Sequence, residues 1–132
     1  MPMGRRFTWK RYSELGAREI THQDETTPCG DSLRTWTYKL MQVADGLDSK
    51  ELAMTMCTLK PGEAVAHHGH PDQEEIYILM RGKSEVRTDV EKVDAEAFSF
   101  FCFPPGCNHS VYNNSGEDAE WLFVAAAKPK TS

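Results

Sequence analysis

The chain reads as a succession of short apolar or β-branched runs cut by turn signals. Leu33 to Leu40 (LRTWTYKL) mixes β-branched and aromatic residues in an imperfect alternation. Leu52 to Leu59 (LAMTMCTL) is apolar and Thr-rich and stops at Lys60-Pro61-Gly62. Glu75 to Met80 (EIYILM) stops at Arg81-Gly82, and Lys83 to Val90 (KSEVRTDV) alternates polar and apolar positions. Phe98 to Phe103 (FSFFCF) ends at Pro104-Pro105-Gly106, and Trp121 to Ala127 (WLFVAAA) reads as the last strand. Runs of this length divided by Pro/Gly turns predict an all-β sandwich or barrel. Tyr12 to Ile20 alone carries a weak helical pattern. A jelly roll, two sheets folded over one core, suits the strand count.

Composition narrows the picture. A chain of 132 residues with 39% apolar and 27% charged residues fits one globular domain, taken here as residues 1–132. No apolar run approaches the roughly 20 residues of a membrane-spanning helix. Arg5 and Arg6 are followed by no apolar segment of the secretory kind, so a cytoplasmic protein without membrane partners is expected. The net charge of −5 argues against nucleic-acid binding, which needs a cationic field. The basic residues at the two ends, Arg5, Arg6, Lys10, Arg11, Lys128 and Lys130, read as solvated termini. Cys29, Cys57, Cys102 and Cys107 form no C-x-x-C pair and read as free thiols, with Cys57 and Cys102 buried in strands.

Candidate chemistry gathers in two patches holding four of the five histidines. In Gly62-Glu63-Ala64-Val65-Ala66-His67-His68-Gly69-His70-Pro71-Asp72-Gln73-Glu74-Glu75, His68 and His70 are two apart. On an extended strand they share a face, so both imidazoles can reach one ion. Pro71-Asp72-Gln73 turns the chain, and a carboxylate at Glu75 starts the next strand. Two histidines and one carboxylate leave open positions on a cation. In Pro104-Pro105-Gly106-Cys107-Asn108-His109, the turn places His109 at the start of a strand, where it can supply a third imidazole.

These residues resemble the cupin family closely. The first cupin motif, G-x5-H-x-H-x4-E-x6-G, is met by Gly62, His68, His70, Glu75 and Gly82. The second, G-x5-P-x-G-x2-H-x3-N, is met by Pro104, Gly106, His109 and Asn113, with Phe98 in the leading glycine position. The departure concerns a tight turn, expected instead near Asp94-Ala95-Glu96, and leaves the ligand set untouched. The resemblance spans residues 62–113. It implies a double-stranded β-helix and one divalent metal held by His68, His70, Glu75 and His109. Iron leads the candidates, with manganese, nickel, zinc, copper and cobalt also compatible. Cupins often pair through N-terminal strands, so a homodimer is expected, with residues 1–30 as the contact extension and Phe7 to Tyr12 as a strand in it.

Other residues weigh less. His67 points away from His68 on a strand, and Glu74 yields to Glu75 on spacing. His22 reads as exposed. Tyr77, Leu79 and Arg81 share the face of Glu75, and Ile76, Ile78 and Met80 pack on the other. Tyr77 is the candidate catalytic acid or base, against a role as barrel filler. Arg81 and Arg87 read as rim charges more than carboxylate clamps. Trp36, Tyr38, Phe101, Phe103, Trp121 and Phe123 are expected in the core, with Met41, Met54, Met56 and Met80 as filler. Cys107 reads as a turn residue facing the pocket wall. The favoured function is a metal-dependent enzyme acting on a small polar molecule, by an oxygenase-type reaction. A non-redox lyase, isomerase or cyclase is the alternative within enzymes, and a non-catalytic small-molecule sensor the alternative outside them.

Overall fold

The computed structural model describes residues 9–23, 33–41 and 51–127. Among the described residues, ten strands follow one 3-10 turn at Tyr12–Glu14. They are β1 (Ala17–Gln23), β2 (Leu33–Met41), β3 (Leu52–Leu59), β4 (Ala64–His68), β5 (Gln73–Arg81), β6 (Lys83–Thr88), β7 (Lys92–Glu96), β8 (Phe100–Phe103), β9 (His109–Tyr112) and β10 (Ala119–Ala127). The helical pattern over Tyr12 to Ile20 is overridden, because most of its second half pairs as β1 with β2. Trp9 to Arg11 are not in a strand either, and Phe7 lies outside the described residues. Among the described residues, no helix is long and apolar enough to cross a membrane.

All pairings are antiparallel, and they build two sheets in the orders β1-β2-β3-β10-β5-β8 and β4-β9-β6-β7. This is the expected jelly roll. The core lies between the sheets, where alternate residues of each strand point. Register lines these residues up in rows, Cys57–Trp121–Leu79 and Thr55–Phe123–Tyr77–Phe101. Trp121, Leu79, Leu59 and Val111 are fully buried, each worth roughly 1.5–3 kcal/mol of apolar transfer. Asn113, the last fixed residue of the second motif, is also fully buried. Its amide donates to Leu59 O (2.8 Å) and Glu117 O (2.7 Å), and its Oδ1 accepts from Ser115, so it ties loops instead of meeting a ligand.

Several expectations change. Ile76 and Met80 lie on the outer face of β5 at 41% and 40% exposure, and Ile78 is half-buried there, so the core does not use them as fully as expected. Cys102 is exposed, because it alternates with buried Phe103 on β8. Met54 and Met56 are half-buried on the same outer face. The side chains of Trp36, Tyr38, Met41 and His22, and Cys29 as a whole, lie outside what is described.

The segment Asp94-Ala95-Glu96 is strand, not turn. β7 is a charged edge strand that buries only Ala95, a composition that discourages edge-to-edge pairing and hides the strand from a hydrophobicity reading. The turn sits where the second motif places it: Phe98 takes the left-handed conformation (φ 68°) usually left to glycine, with its ring 70% exposed. At Gly82 (φ 88°) a Cβ would come within 2.5 Å of Asp118 O, so only glycine fits between β5 and β6.

Candidate metal centre

The centre forms where the two sheets face each other. Glu75 projects inward from β5, on the side of Tyr77 and Leu79. His68 ends β4 and stands directly across from His109, the first residue of β9. The imidazoles of His68 and His109 lie 4.7 Å apart between ring centroids. Each ring turns its Nδ1 to a main-chain carbonyl, His68 to Ala66 O at 2.7 Å and His109 to Cys107 O at 3.0 Å. A carbonyl only accepts, so each Nδ1 carries a proton, and Nε2 is the nitrogen left to face the centre. His68, Glu75 and His109 bring one ligand atom each within 4.8 Å of one another.

Glu75 Oε1 is buried without a hydrogen-bond donor, 3.2 Å from His109 Nε2. A buried carboxylate oxygen without a partner is costly unless a proton or a metal cation joins it to the neighbouring imidazoles. The donor set, two imidazole nitrogens and a carboxylate, fits a divalent transition metal. Burial drives the Glu75 pKa upward, but the imidazoles of His109, His68 and His70 outweigh it and leave the group below its ordinary value, hence ionised. Burial lowers the His68 pKa, against the opposing pull of the Ala66 carbonyl, which keeps the ring neutral and able to ligate.

His70 lies past the end of β4, so the two-residue spacing acts through a strand end and not a continuous strand. Its Nε2 is 3.7 Å from Glu75 Oε1, its side chain is 38% exposed, and it stands at the rim beside the tighter group of three. Its carbonyl accepts from Gly106 N at 2.8 Å, docking the two motif loops together. Gly69 allows that approach: a Cβ there would clash with Asn108 Oδ1 and lie 3.0 Å from Cys107 O.

The Tyr77 phenol lies behind the centre, fully buried, with its hydroxyl 3.0 Å from His109 Nε2. Burial, aided by the charge of Glu75, raises its pKa well above the ordinary phenol value. The group therefore stays protonated and acts as a donor, not as a base. It also fills the core, stacked on Phe123 at 3.8 Å between centroids.

His67 turns away from the centre, as strand alternation predicts, and pairs with Asp89. Glu74 is exposed. Arg81 and Arg87 are engaged with Glu120 and Glu85 respectively. The Cys107 side chain lines a cavity of about 290 Å³ with Thr88, Phe101 and Phe103. A second cavity, about 350 Å³, opens beside Glu75 along Phe103, Pro104, Ile76 and Val124. Asp89 was not signalled by the sequence, since it belongs to neither motif.

The family model for the cupin domain matches residues 55–125, a little over half of the chain. The "Polyketide synthase CurC" of Streptomyces cyaneus is 30% identical over 80 residues, which are 60% of this chain and 52% of that protein. The chain thus spans about half the length of this curated relative. Among solved structures, the TT1209 protein of Thermus thermophilus is 27% identical with a TM-score of 0.58, over 64% of this chain and 80% of that one. A predicted oxalate decarboxylase of Thermotoga maritima is 21% identical with a TM-score of 0.70, over 92% of this chain and 100% of that one. A sugar phosphate isomerase from Silicibacter pomeroyi is 17% identical with a TM-score of 0.72, over 92% and 77%. The last two likenesses speak to the fold alone.

Proposed function

The chain belongs to the cupin domain family, and on that premise we propose that it is a metal-dependent enzyme acting on a small polar molecule by an oxygenase-type reaction. The observation that carries this reading is the convergence of His68, Glu75 and His109 within 4.8 Å. Two histidines and one carboxylate with room beside them are the donor set of non-haem ferrous oxygenases, so iron is the favoured ion. Manganese, nickel, zinc, copper and cobalt fit the same donors less selectively. A bound divalent ion supplies Lewis acidity and open coordination positions for substrate and oxygen.

The chain's own residues do the rest. His68 and His109 present Nε2 lone pairs fixed by their Nδ1 bonds, Glu75 supplies the balancing charge, and His70 closes in from the rim as a fourth ligand. Tyr77 offers a protonated hydroxyl, able to donate to a substrate oxygen but not to take a proton. The apolar walls of the cavity beside Cys107, Phe101 and Phe103, exclude water from the non-polar part of a substrate. The likeness to a polyketide synthase protein makes oxygen-rich polyketide-type compounds the first class to screen. The buried phenol favours a second reading, a lyase, isomerase or cyclase in which Tyr77 donates a proton.

Metal analysis followed by a substrate screen with and without oxygen tests the reading. We expect about one ion per chain, with histidine nitrogens at roughly 2.0–2.3 Å. Protons compete for the Nε2 lone pairs, so metal is lost as pH falls. Because His68 is depressed below its ordinary value of 6.5, its contribution holds through neutrality and disappears only in acid, below that value. Dialysis at about pH 7, 5 and 4 measures this, and full retention at about pH 4 would contradict ligation by histidine. Ligand binding without turnover under any condition would transfer the protein to the sensor class.

We also propose a homodimer, formed through the outer face of the six-stranded sheet. Register places Met54, Val124, Ile76 and Cys102 in one outward row and Met56, Leu122, Ile78 and Phe100 in the next. Eight uncharged side chains in two adjacent rows make a face that a second copy covers by two-fold symmetry. Light scattering should give twice the chain mass, and Ile76→Lys should shift the species toward monomer. A monomer for the unmodified chain at working concentration would count against this.

A further inference from the structure

Asp89 touches neither histidine of the centre, yet it holds the residue that precedes each of them. Its Oδ1 accepts from His67 Nε2 at 2.7 Å, and its Oδ2 accepts from Asn108 Nδ2 at 2.9 Å. His67 precedes His68 within β4, and Asn108 is the loop residue just before His109, which opens β9. We infer that Asp89 is a positioning residue of the metal centre, a staple that sets the spacing of His68 and His109 from outside the site. The inference rests on the metal-dependent reading proposed above.

The strand ladder alone does not fix that spacing. Between Val65↔Val111 and His68↔His109 the β4–β9 register slips, three steps on one strand against two on the other. A bulge of this kind leaves residues unpaired, so the geometry of the two histidines must be secured by something else. Asp89 is well placed for it. It leads the turn after β6, and Thr88, the last residue of β6, pairs directly with His109. The turn is itself fixed: Thr88 N donates to Glu91 O at 2.9 Å, and Thr88 Oγ1 accepts from the main-chain N–H groups of Val90 and Glu91.

The two arms of the staple are specific. The Asp89 bond is made by one nitrogen of His67, while the other, Nδ1, is buried with no hydrogen-bond partner. Asn108 Oδ1 lies over Gly69, the residue between His68 and His70. Fixing the carboxamide through Nδ2 therefore also fixes how the two motif loops close. Outer partners of this kind tune metal affinity by orienting the ligands.

Cobalt titration of the full chain tests the inference, reading the dissociation constant, the visible ligand-field spectrum and the melting temperature of metal-free protein. Asp89→Ala should bind Co2+ about tenfold more weakly than the unmodified chain, the lower end of what outer partners contribute, with an altered spectrum. Asp89 is exposed, so metal-free melting should not change. Asp89→Asn keeps one acceptor oxygen and should fall between the two. An Asp89→Ala protein with unchanged affinity and spectrum overturns the inference alone. So does a loss of affinity matched by an equal loss of metal-free stability. An unmodified chain that binds no Co2+ overturns the metal-centre reading, and the inference with it.

Discussion

Glu75→Gln should strip the centre of its metal and abolish turnover while the barrel stays folded. The substitution keeps the side-chain volume and removes the charge. A ligand lost outright costs more than an outer partner, so affinity should fall by more than about a hundredfold. The carboxylate sits among three imidazoles, 3.2 Å from His109 Nε2 and 3.7 Å from His70 Nε2. Once the charge is gone, nothing else in the group balances a divalent cation. The fold is carried by other residues: Trp121, Leu79, Leu59 and Val111 are buried without touching the ligand role. Metal-free unfolding free energy should therefore change by less than about 1 kcal/mol, since the altered oxygen has no hydrogen bond to lose. His70→Ala should cost less affinity than Glu75→Gln, because its ring stands at the rim. Metal analysis of the purified variants and urea denaturation of the metal-free forms check both parts. A glutamine variant that still holds one ion per chain would place the metal elsewhere.

The legible part of this protein is what spacing encodes. Two motifs name His68, Glu75 and His109, which converge, and His70, which stands at the rim, and strand alternation separates His67 from His68 and Tyr77 from Ile76. The illegible part is what depends on a third dimension or on surroundings. β7 escapes because this edge strand carries charges on three of its five positions. Ile76, Met80 and Cys102 look like core by hydrophobicity, yet alternation can fix only that they face away from Tyr77 and Phe103, not whether anything covers them. The bulge before His68 and the bond from Asp89 to Asn108 join residues far apart in sequence, with no periodic signal. Phe98 shows the converse: a position expected to need glycine accepts a bulky residue, because its side chain points into solvent and the strain is confined to one φ angle.

Trp121→Ala should be among the most damaging changes for stability, costing about 3–5 kcal/mol. The indole is fully buried at the centre of the row Cys57–Trp121–Leu79, and its ring contacts Phe101, Phe123 and Tyr77 at centroid distances of 5.9, 6.2 and 6.3 Å. Truncation leaves a cavity that β-strands pinned on both sides cannot close. A second cost adds to it. Trp121 Nε1–H donates to Ser84 Oγ at 3.1 Å, joining β10 of one sheet to β6 of the other, and Ser84 is only 2% exposed. Its hydroxyl would lose that donor, at about 1 kcal/mol or more. Trp121→Phe separates the contributions, since it keeps most of the apolar volume and loses the bond. That variant should lose roughly half as much. The damage should also reach the centre by a defined route. Glu75 and Tyr77 share β5 with Leu79, so loosening this row relaxes the strand that presents the carboxylate. Equilibrium urea denaturation of metal-free protein measures the loss, and adding a divalent ion should recover part of it by binding the folded form. A Trp121→Ala loss under about 1 kcal/mol would mean that the two sheets are held together elsewhere.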